Sequence, residues 1–449
     1  MGRSTETPVE LSIERIGARG DGIAQYRGER VFVPFTVPGD RVRAQLGARR
    51  LGGREGRVVD RLASGPDRAA PRCRHFGICG GCALQHLDPA SYRRLKLGTL
   101  HAALERVGID PGVVWPMRLV PPERRRARLG LARPRDPGLP VCVGYRERFR
   151  HELIDLCECP VLEPALFALT GSLRQLARDL IPPGGSAEVT LTRIDSGVDL
   201  LIHRAERPDL GMCEVLARFA EECDLARIVW RSGADEIVVV ERRPVRVLLS
   251  GVAVPFPPGA FLQASPSAEM ILVEEVISGI GSSRPVLDLF AGLGTFAFAL
   301  AGGGAVHAVE GDARSAAAVA RAAADRPAFT VERRDLARNP LPAEALARYA
   351  RRGVRSAARR RRPAGGRARR LRDKHDRRNI LQSGNLRARR GKAGRRRLPR
   401  RASDTGRSVR MDPAYRARRC LPTMTSAPDH RHCAARVLFY NRREPSGRP

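Results

Sequence analysis

The 449-residue chain contains no apolar run approaching the ~18 residues that a membrane span needs. Its opening, MGRSTETPVELSIERI, carries acids and lacks the apolar core of a secretory signal. From these absences the protein is expected to be cytoplasmic, with no membrane partner. There, ten cysteines point to metal binding or catalysis rather than to disulfides. Acid is also scarce, but only locally. Residues 351–449 hold 33 Lys+Arg against 6 Asp+Glu, so +27 of the formal +33 lies in the tail and residues 1–350 carry only +6. A charge that reads as a nucleic-acid signal is therefore a statement about the tail. The length allows about two to four domains.

Residues 8–64 read as a small β domain. VELSIERI, RVRAQL and GRVVDRL alternate apolar and polar residues, and Gly-rich turns flank a strand centred on Val31, Phe32 and Val33. Short strands with glycine turns suggest a barrel of the OB kind. Arg41 and Arg43 fall on one strand face, with Arg49 and Arg50 nearby. That face is either solvated surface or an RNA contact. Residues 65–255 contain a cysteine-rich loop and then a mixture of helices and strands such as EVTLTRI, DLLIHRA and EIVVVERR. From 256 to 349 strands alternate with helices: a helix at 265–280, strand VLDLF, a helix at 294–302, strand AVHAVE, a helix at 312–325 and strand FTVERRD. This order implies βαβ units and a parallel sheet.

Within that order, Val286–Phe290 is followed by Ala291-Gly292-Leu293-Gly294-Thr295 and a helix. Glycines at such a turn let backbone approach a ligand. The third glycine of the dinucleotide-binding spacing is missing, and Asp288 precedes the loop. The next strand ends at Glu310, about twenty residues on, where an acid can hold a ribose diol. The one after ends at Asp335, in reach of an adenine amino group. This combination favours S-adenosylmethionine over a nicotinamide dinucleotide.

The cysteine-rich loop has the spacing Cys73-x5-Cys79-Gly-Gly-Cys82, and Cys157 and Cys159 follow in HELIDLCECPVLEP. Three close thiols suit zinc or an iron–sulfur cluster, and either 157 or 159 can supply a fourth. The second knuckle usual for zinc is missing, as is the Cys-x3-Cys-x2-Cys pattern of radical enzymes. Unbound thiols remain a third reading. Cys142, Cys213 and Cys223 lie in apolar contexts and read as core.

CRHFGICGGCALQH (73–86), GAFLQASPSAE (259–269) and VLDLFAGLGTFAFALA (286–301) resemble segments of the RNA uracil-C5 methyltransferases that carry a 4Fe–4S cluster, and residues 8–64 resemble their TRAM domain. The resemblance runs from about residue 8 to 348. It implies a fold of class α/β: a Rossmann-like methyltransferase domain (256–349), preceded by the OB-like barrel and a mixed α+β central domain. It implies Cys73, Cys79, Cys82 and Cys159 as cluster ligands, Cys159 rather than Cys157 because the family's fourth cysteine precedes proline. It implies Gln263, Phe290, Thr295, Glu310 and Asp335 as contacts of S-adenosylmethionine, RNA as partner (ribosomal in preference to transfer RNA), and a monomer. The family's reaction uses a cysteine thiolate on C6 of uracil and a base that removes the C5 proton. Its DPPR motif, its SCNP nucleophile and its C-terminal glutamate have no counterpart here.

Two readings account for the tail 350–449. A natural arginine arm would bind phosphates and fold on RNA. Alternatively, the reading frame has shifted in a GC-rich gene. With permitted codons, Arg352–Pro363 reads AVAFDPPRAGAG one base later, and Asn379–Asn385 reads TSCNPAT. Two shifted codons leave no freedom. Met411–Asp412 must yield Trp, inside a run that can read YRVERVIPVDQFVWTRHIELVAVF, and Met424–Thr425 must yield a stop just after it. The missing motifs thus recur in order, and the sequence favours a slip near Arg348–Arg351. Sparse apolar residues among 31 arginines cannot offset ordering entropy, so the tail is expected to be disordered or arbitrary. The chain as written is expected to be inactive.

Overall fold

A computed structural model describes residues 7–50, 52–110, 117–148, 150–349, 380–382 and 437–440. The N-terminal domain is one six-stranded sheet: β1 (Val9–Ser12), β2 (Arg15–Ile16), β3 (Gly22–Tyr26), β4 (Glu29–Val33), β5 (Arg41–Arg50) and β6 (Gly53–Ala63), in the order β1-β5-β6-β4-β3-β2. Alternation along β5 buries Val42, Ala44 and Leu46 against Leu11, Ile13, Ala24, Val31 and Val33. Arg41 and Arg43 point outward together, as the pattern predicts. Each has an acid partner: Arg41 with Glu10 (3.6 Å), Arg43 with Asp60, and further along Arg49 with Glu29 (3.2 Å). Pairing weakens the field that a bare arginine row would project.

After α1 (Pro89–Glu105), capped by Asp88, and β7 (Met117–Val120), the central domain builds a second sheet. It comprises β8 (Arg126–Ala132), β9 (Cys142–Gly144), β10 (Ser186–Ile194), β11 (Gly197–His203), β12 (Leu225–Ser232) and β13 (Asp235–Glu241), ordered β13-β12-β11-β10-β8-β9. Helices α2 (Pro164–Leu180) and α3 (Leu210–Glu222) present Leu166, Leu173, Leu176, Leu216 and Phe219 to a core that includes Leu129, Val189, Leu200 and Trp230. The strands expected at EVTLTRI, DLLIHRA and EIVVVERR are β10, β11 and β13.

The hairpin β14 (Arg246–Leu249) and β15 (Val252–Pro255) buries Val247, Val254 and Phe256 in the same core as Val286, Ala291 and Leu293. The last domain runs α4 (Pro266–Ile280), β16 (Val286–Leu289), α5 (Thr295–Ala301), β17 (Val306–Glu310), α6 (Ala313–Ala322), β18 (Phe329–Arg333) and α7 (Ala343–Ala347), close to the expected alternation. The tail contributes two short described strands. β19 (Ile380–Gln382) lies parallel to β16, giving the order β18-β17-β16-β19, and β20 (Val437–Tyr440) lies antiparallel to β7. Otherwise the expectations for residues 350–449 lie outside the described residues. Strand order reverses at β16, and the crevice beyond the carboxyl ends of such strands is where open α/β sheets bind ligands.

Candidate cofactor and metal sites

The loop after β16 folds tightly because of its glycines. Gly292 and Gly294 adopt φ of 59° and 83°, and Phe290 also enters the left-handed region at 60°. Ala291 and Leu293 are buried, which anchors the loop to the core. The carboxylate of Glu310, at the end of β17, accepts the Gly292 N–H at one oxygen and the Asp312 N–H at the other, both at 2.8 Å. The Arg334 N–H donates to the Glu310 carbonyl at 2.9 Å, which brings Asp335 beside Gly311. Phe290, Thr295, Glu310 and Asp335 therefore gather at the carboxyl ends of three adjacent parallel strands. Gln263 lies on the segment before α4, next to Leu262, which shares a core with Ala291 and Leu293. Asp335 is exposed and its carboxylate accepts the Ala337 and Arg338 N–H groups at 3.0 and 3.3 Å.

The cysteine loop is held between the first two domains. Phe76 packs edge-on against Phe35 with centroids 5.0 Å apart, the Arg148 guanidinium lies 4.7 Å from the Phe35 ring, and Arg148 pairs with Asp21 at 3.0 Å. His86 is fully buried, with Nε2 3.3 Å from the Thr36 carbonyl, and burial pushes its pKa down to about 4. The imidazole is thus a neutral structural group.

Cys73, Cys79, Cys82 and Cys159 line one cavity of about 180 Å³, together with Tyr145 and Arg124. Cys157 does not line it; its Sγ lies 3.3 Å from His75 Nε2. The fold thus distinguishes the two cysteines that spacing alone left open. Burial pushes the Cys73 thiol up to about 11 and also raises Cys79 and Cys82, with neighbouring thiols adding to the effect at each. Thiols so placed stay protonated near neutrality unless a cation holds them as thiolates. The Gly81 N–H points at Cys79 Sγ at 3.3 Å, a contact that favours negative sulfur.

Spacing gave no hint of a second grouping. Cys73, His75 and Glu158 place ligand atoms within 4.8 Å of one another. Glu158 is already held by Arg74, through its backbone N–H and through Nε at 3.1 Å, and His75 faces Cys157. Both side chains are therefore already engaged with protein partners. His75 was visible in the sequence as a histidine two residues from Cys73, whereas Arg124 and Tyr145 carried no such signal. The other thiols differ from expectation. Cys142, Cys213 and Cys223 are half-buried rather than fully core, and Cys223 packs against the central core.

Among the described residues, no helix is long and apolar enough to cross a membrane. No protein-family model matches the chain. Curated relatives do. An uncharacterised RNA methyltransferase of Brucella suis is 37% identical over 343 residues, covering 76% of this chain and 80% of that protein. One of Caulobacter vibrioides is 37% identical over 350 residues, covering 76% and 81%. The 23S rRNA (uracil(1939)-C(5))-methyltransferase RlmD of Alkalilimnicola ehrlichii is 32% identical over 315 residues, covering 67% and 69%. Among solved structures, the tRNA (uracil-54, C5)-methyltransferase of Pyrococcus abyssi with S-adenosyl-L-homocysteine matches with a TM-score of 0.52 at 20% identity, over 72% of this chain and 79% of that one. That likeness speaks for the fold, and the curated relatives speak for the descent. The chain belongs to the RNA uracil-C5 methyltransferase family.

Proposed function

We propose that this chain descends from an enzyme that methylates C5 of a uridine in ribosomal RNA, and that as written it binds but does not turn over. The observation that carries the first half is the gathering of Phe290, Thr295, Glu310 and Asp335 at the strand ends, above a glycine turn. S-adenosylmethionine supplies the methyl group when bound there. Glu310 orients the ribose hydroxyls, Asp335 accepts from the adenine amino group, and Phe290 and Gln263 flank the cofactor. Ribosomal RNA is favoured because a relative that acts on 23S rRNA is 32% identical over 67% of the chain. The OB-like sheet resembles a TRAM domain and would hold RNA beside the cysteine loop.

The four-thiol cavity fits a 4Fe–4S cluster, with Cys73, Cys79, Cys82 and Cys159 as ligands. An all-cysteine shell is the usual one for such clusters, and the rival Cys–His–Glu grouping is occupied by other partners. The cluster's part here is structural, joining residues 73–82 to residue 159.

Inactivity follows from the sequence. The nucleophile and base motifs are absent from this frame, and Cys420 and Cys433 lie outside the described residues. DNA covering codons 345–385 tests this. A base gained or lost near codon 350, followed by codons that spell TSCNPAT in the other frame, is the expected result. Absence of those codons would sink the frame reading, and robust methyl transfer to an rRNA transcript by the chain as written would sink inactivity.

A further inference from the structure

Four consecutive residues, Glu123–Arg126, touch both sites. On one side lies the arm that leaves the thiol cavity, Cys159–Glu163. The Arg124 N–H donates to the Val161 carbonyl (3.0 Å), the Glu163 N–H donates to the Arg124 carbonyl (3.1 Å), and the Arg124 side chain lines the cavity. On the other side lies the segment that carries Gln263. The Arg125 N–H donates to the Ala264 carbonyl (2.9 Å), its Nε donates to the Gln263 carbonyl (2.9 Å), and its Nη2 pairs with Glu269 on α4 (2.7 Å). Both side chains of that pair are nearly buried, at 9% and 14% exposure. Glu123 accepts from Ser265 Oγ (2.6 Å) and from the Ser267 N–H (2.8 Å), and Ser265 is the N-cap of α4. The Arg126 Nη1 donates to the Leu262 carbonyl at 3.3 Å.

We propose that Glu123 and Arg125 are positioning residues that couple occupancy of the thiol cavity to the placement of Gln263 in the cofactor site. The inference rests on the two sites proposed above. A centre bound by Cys159 fixes the arm 159–163. The arm fixes residue 124 through two backbone hydrogen bonds. Residue 125 then has little freedom: its guanidinium grips the Gln263 carbonyl and Glu269, and its backbone N–H holds the Ala264 carbonyl. Packed networks of this kind pass on a displacement because they adopt few discrete arrangements. Coupling between sites typically changes affinity about 5–150-fold, and a link through one buried pair is expected near the lower part of that range.

The test uses the full chain, either reconstituted anaerobically with ferrous iron and sulfide or depleted with a chelator. Two quantities are read in each state: S-adenosylhomocysteine affinity by calorimetry, and amide exchange over 261–269. Loading is expected to raise affinity about tenfold and to slow exchange across that segment. Arg125→Lys keeps the charge but not the fork that spans the Gln263 carbonyl and Glu269, so loaded and depleted forms should converge. Glu123→Gln keeps an oxygen that accepts from Ser265 and Ser267, so it should preserve the difference. A merely structural role would weaken both states equally. Loaded and depleted chains that behave alike overturn the coupling, as does Arg125→Lys retaining the full difference. If the ligand binds in neither state, exchange alone decides. A chain that takes up no iron overturns the metal centre and the coupling with it, whereas uptake without any change over 261–269 overturns the coupling alone.

Discussion

Replacing Asp40 by alanine should loosen the N-terminal sheet and the cysteine loop together. Asp40 is fully buried, and its carboxylate accepts the Val37 N–H (2.8 Å), the Gly65 N–H (2.9 Å) and Arg68 Nε (3.1 Å), with a further bond from Arg68 Nη2. The Arg68 side chain is only 12% exposed, so Asp40→Ala leaves a largely desolvated guanidinium without its counter-charge. Breaking a buried pair from one side costs about 3–5 kcal/mol. Arg68 retains its bond to the Phe35 carbonyl (3.0 Å), so we take the lower end, about 3 kcal/mol. At 1.4 kcal/mol per decade, amide exchange in β3–β5 should accelerate about a hundredfold. Exchange is the right assay because unfolding of a multidomain chain has no single midpoint. Phe35 packs on Phe76, so exchange at 73–82 should rise as well. The pH dependence has a definite sign. Burial alone would raise the Asp40 pKa, but hydrogen bonds from Arg68, Gly65 and Val37 outweigh it and hold the carboxyl below its ordinary value. A depressed folded value means stability that is present above the ordinary aspartate pKa of about 3.9 and is lost as pH falls through the folded value. The gap between natural chain and variant should thus be full near neutrality and narrow on acidification below about pH 4. A cost under about 1 kcal/mol, or a gap that does not narrow, would refute the reasoning.

Gly294→Ala should damage the cofactor loop. Its φ of 83° is strained for alanine, and the new Cβ would lie 2.9 Å from the Phe298 ring, which stacks on Phe329. The expected cost is roughly 2–5 kcal/mol, read by amide exchange across β16 and α5, and a neutral substitution would contradict the turn geometry. Cys159→Ser should abolish stable iron uptake, whereas Cys157→Ser should leave iron content and visible absorbance near those of the natural chain; equal losses would deny the choice between them. Restoring the alternative frame after codon 350 should confer methyl transfer to an rRNA transcript on a chain that lacked it. If deletion of 351–449 removes steeply salt-dependent RNA affinity and the frame proves correct, the tail is a genuine binding arm instead.

The methyltransferase half was legible because its strands are short apolar runs bounded by glycine and acid. Val286–Leu289, Val306–Glu310 and Phe329–Arg333 end at or within two residues of Phe290, Glu310 and Asp335, the residues proposed to contact the cofactor. Alternation in RVRAQL likewise fixed which side of β5 faces the core. Cross-strand partners were not legible, so the neutralisation of Arg43 by Asp60, seventeen residues away, escaped the pattern. Nor could spacing separate Cys157 from Cys159. That choice depends on how a loop 75 residues downstream returns to the cavity, and on His75 being there to meet the rejected thiol. The hairpin at 246–255 carried no signal that set it apart from the rest of residues 65–255, yet Val247 and Val254 share a core with Ala291 and Leu293 of the glycine loop. The run of arginines at 124–126 was visible as charge, while its grip on Gln263 depends on tertiary contact alone.

The separation of the thiols along the chain has a consequence for synthesis. Cys73, Cys79 and Cys82 leave the ribosome early, but Cys159 follows Cys82 by 77 residues. At about 5–20 residues per second, the three-thiol knuckle waits roughly 4–15 s before the fourth thiol of its cavity is made. During that interval its sulfurs are open to oxidants and to stray metal ions. The nascent N-terminal domain, already made, offers Phe35 and Thr36 to receive Phe76 and His86 from the same loop.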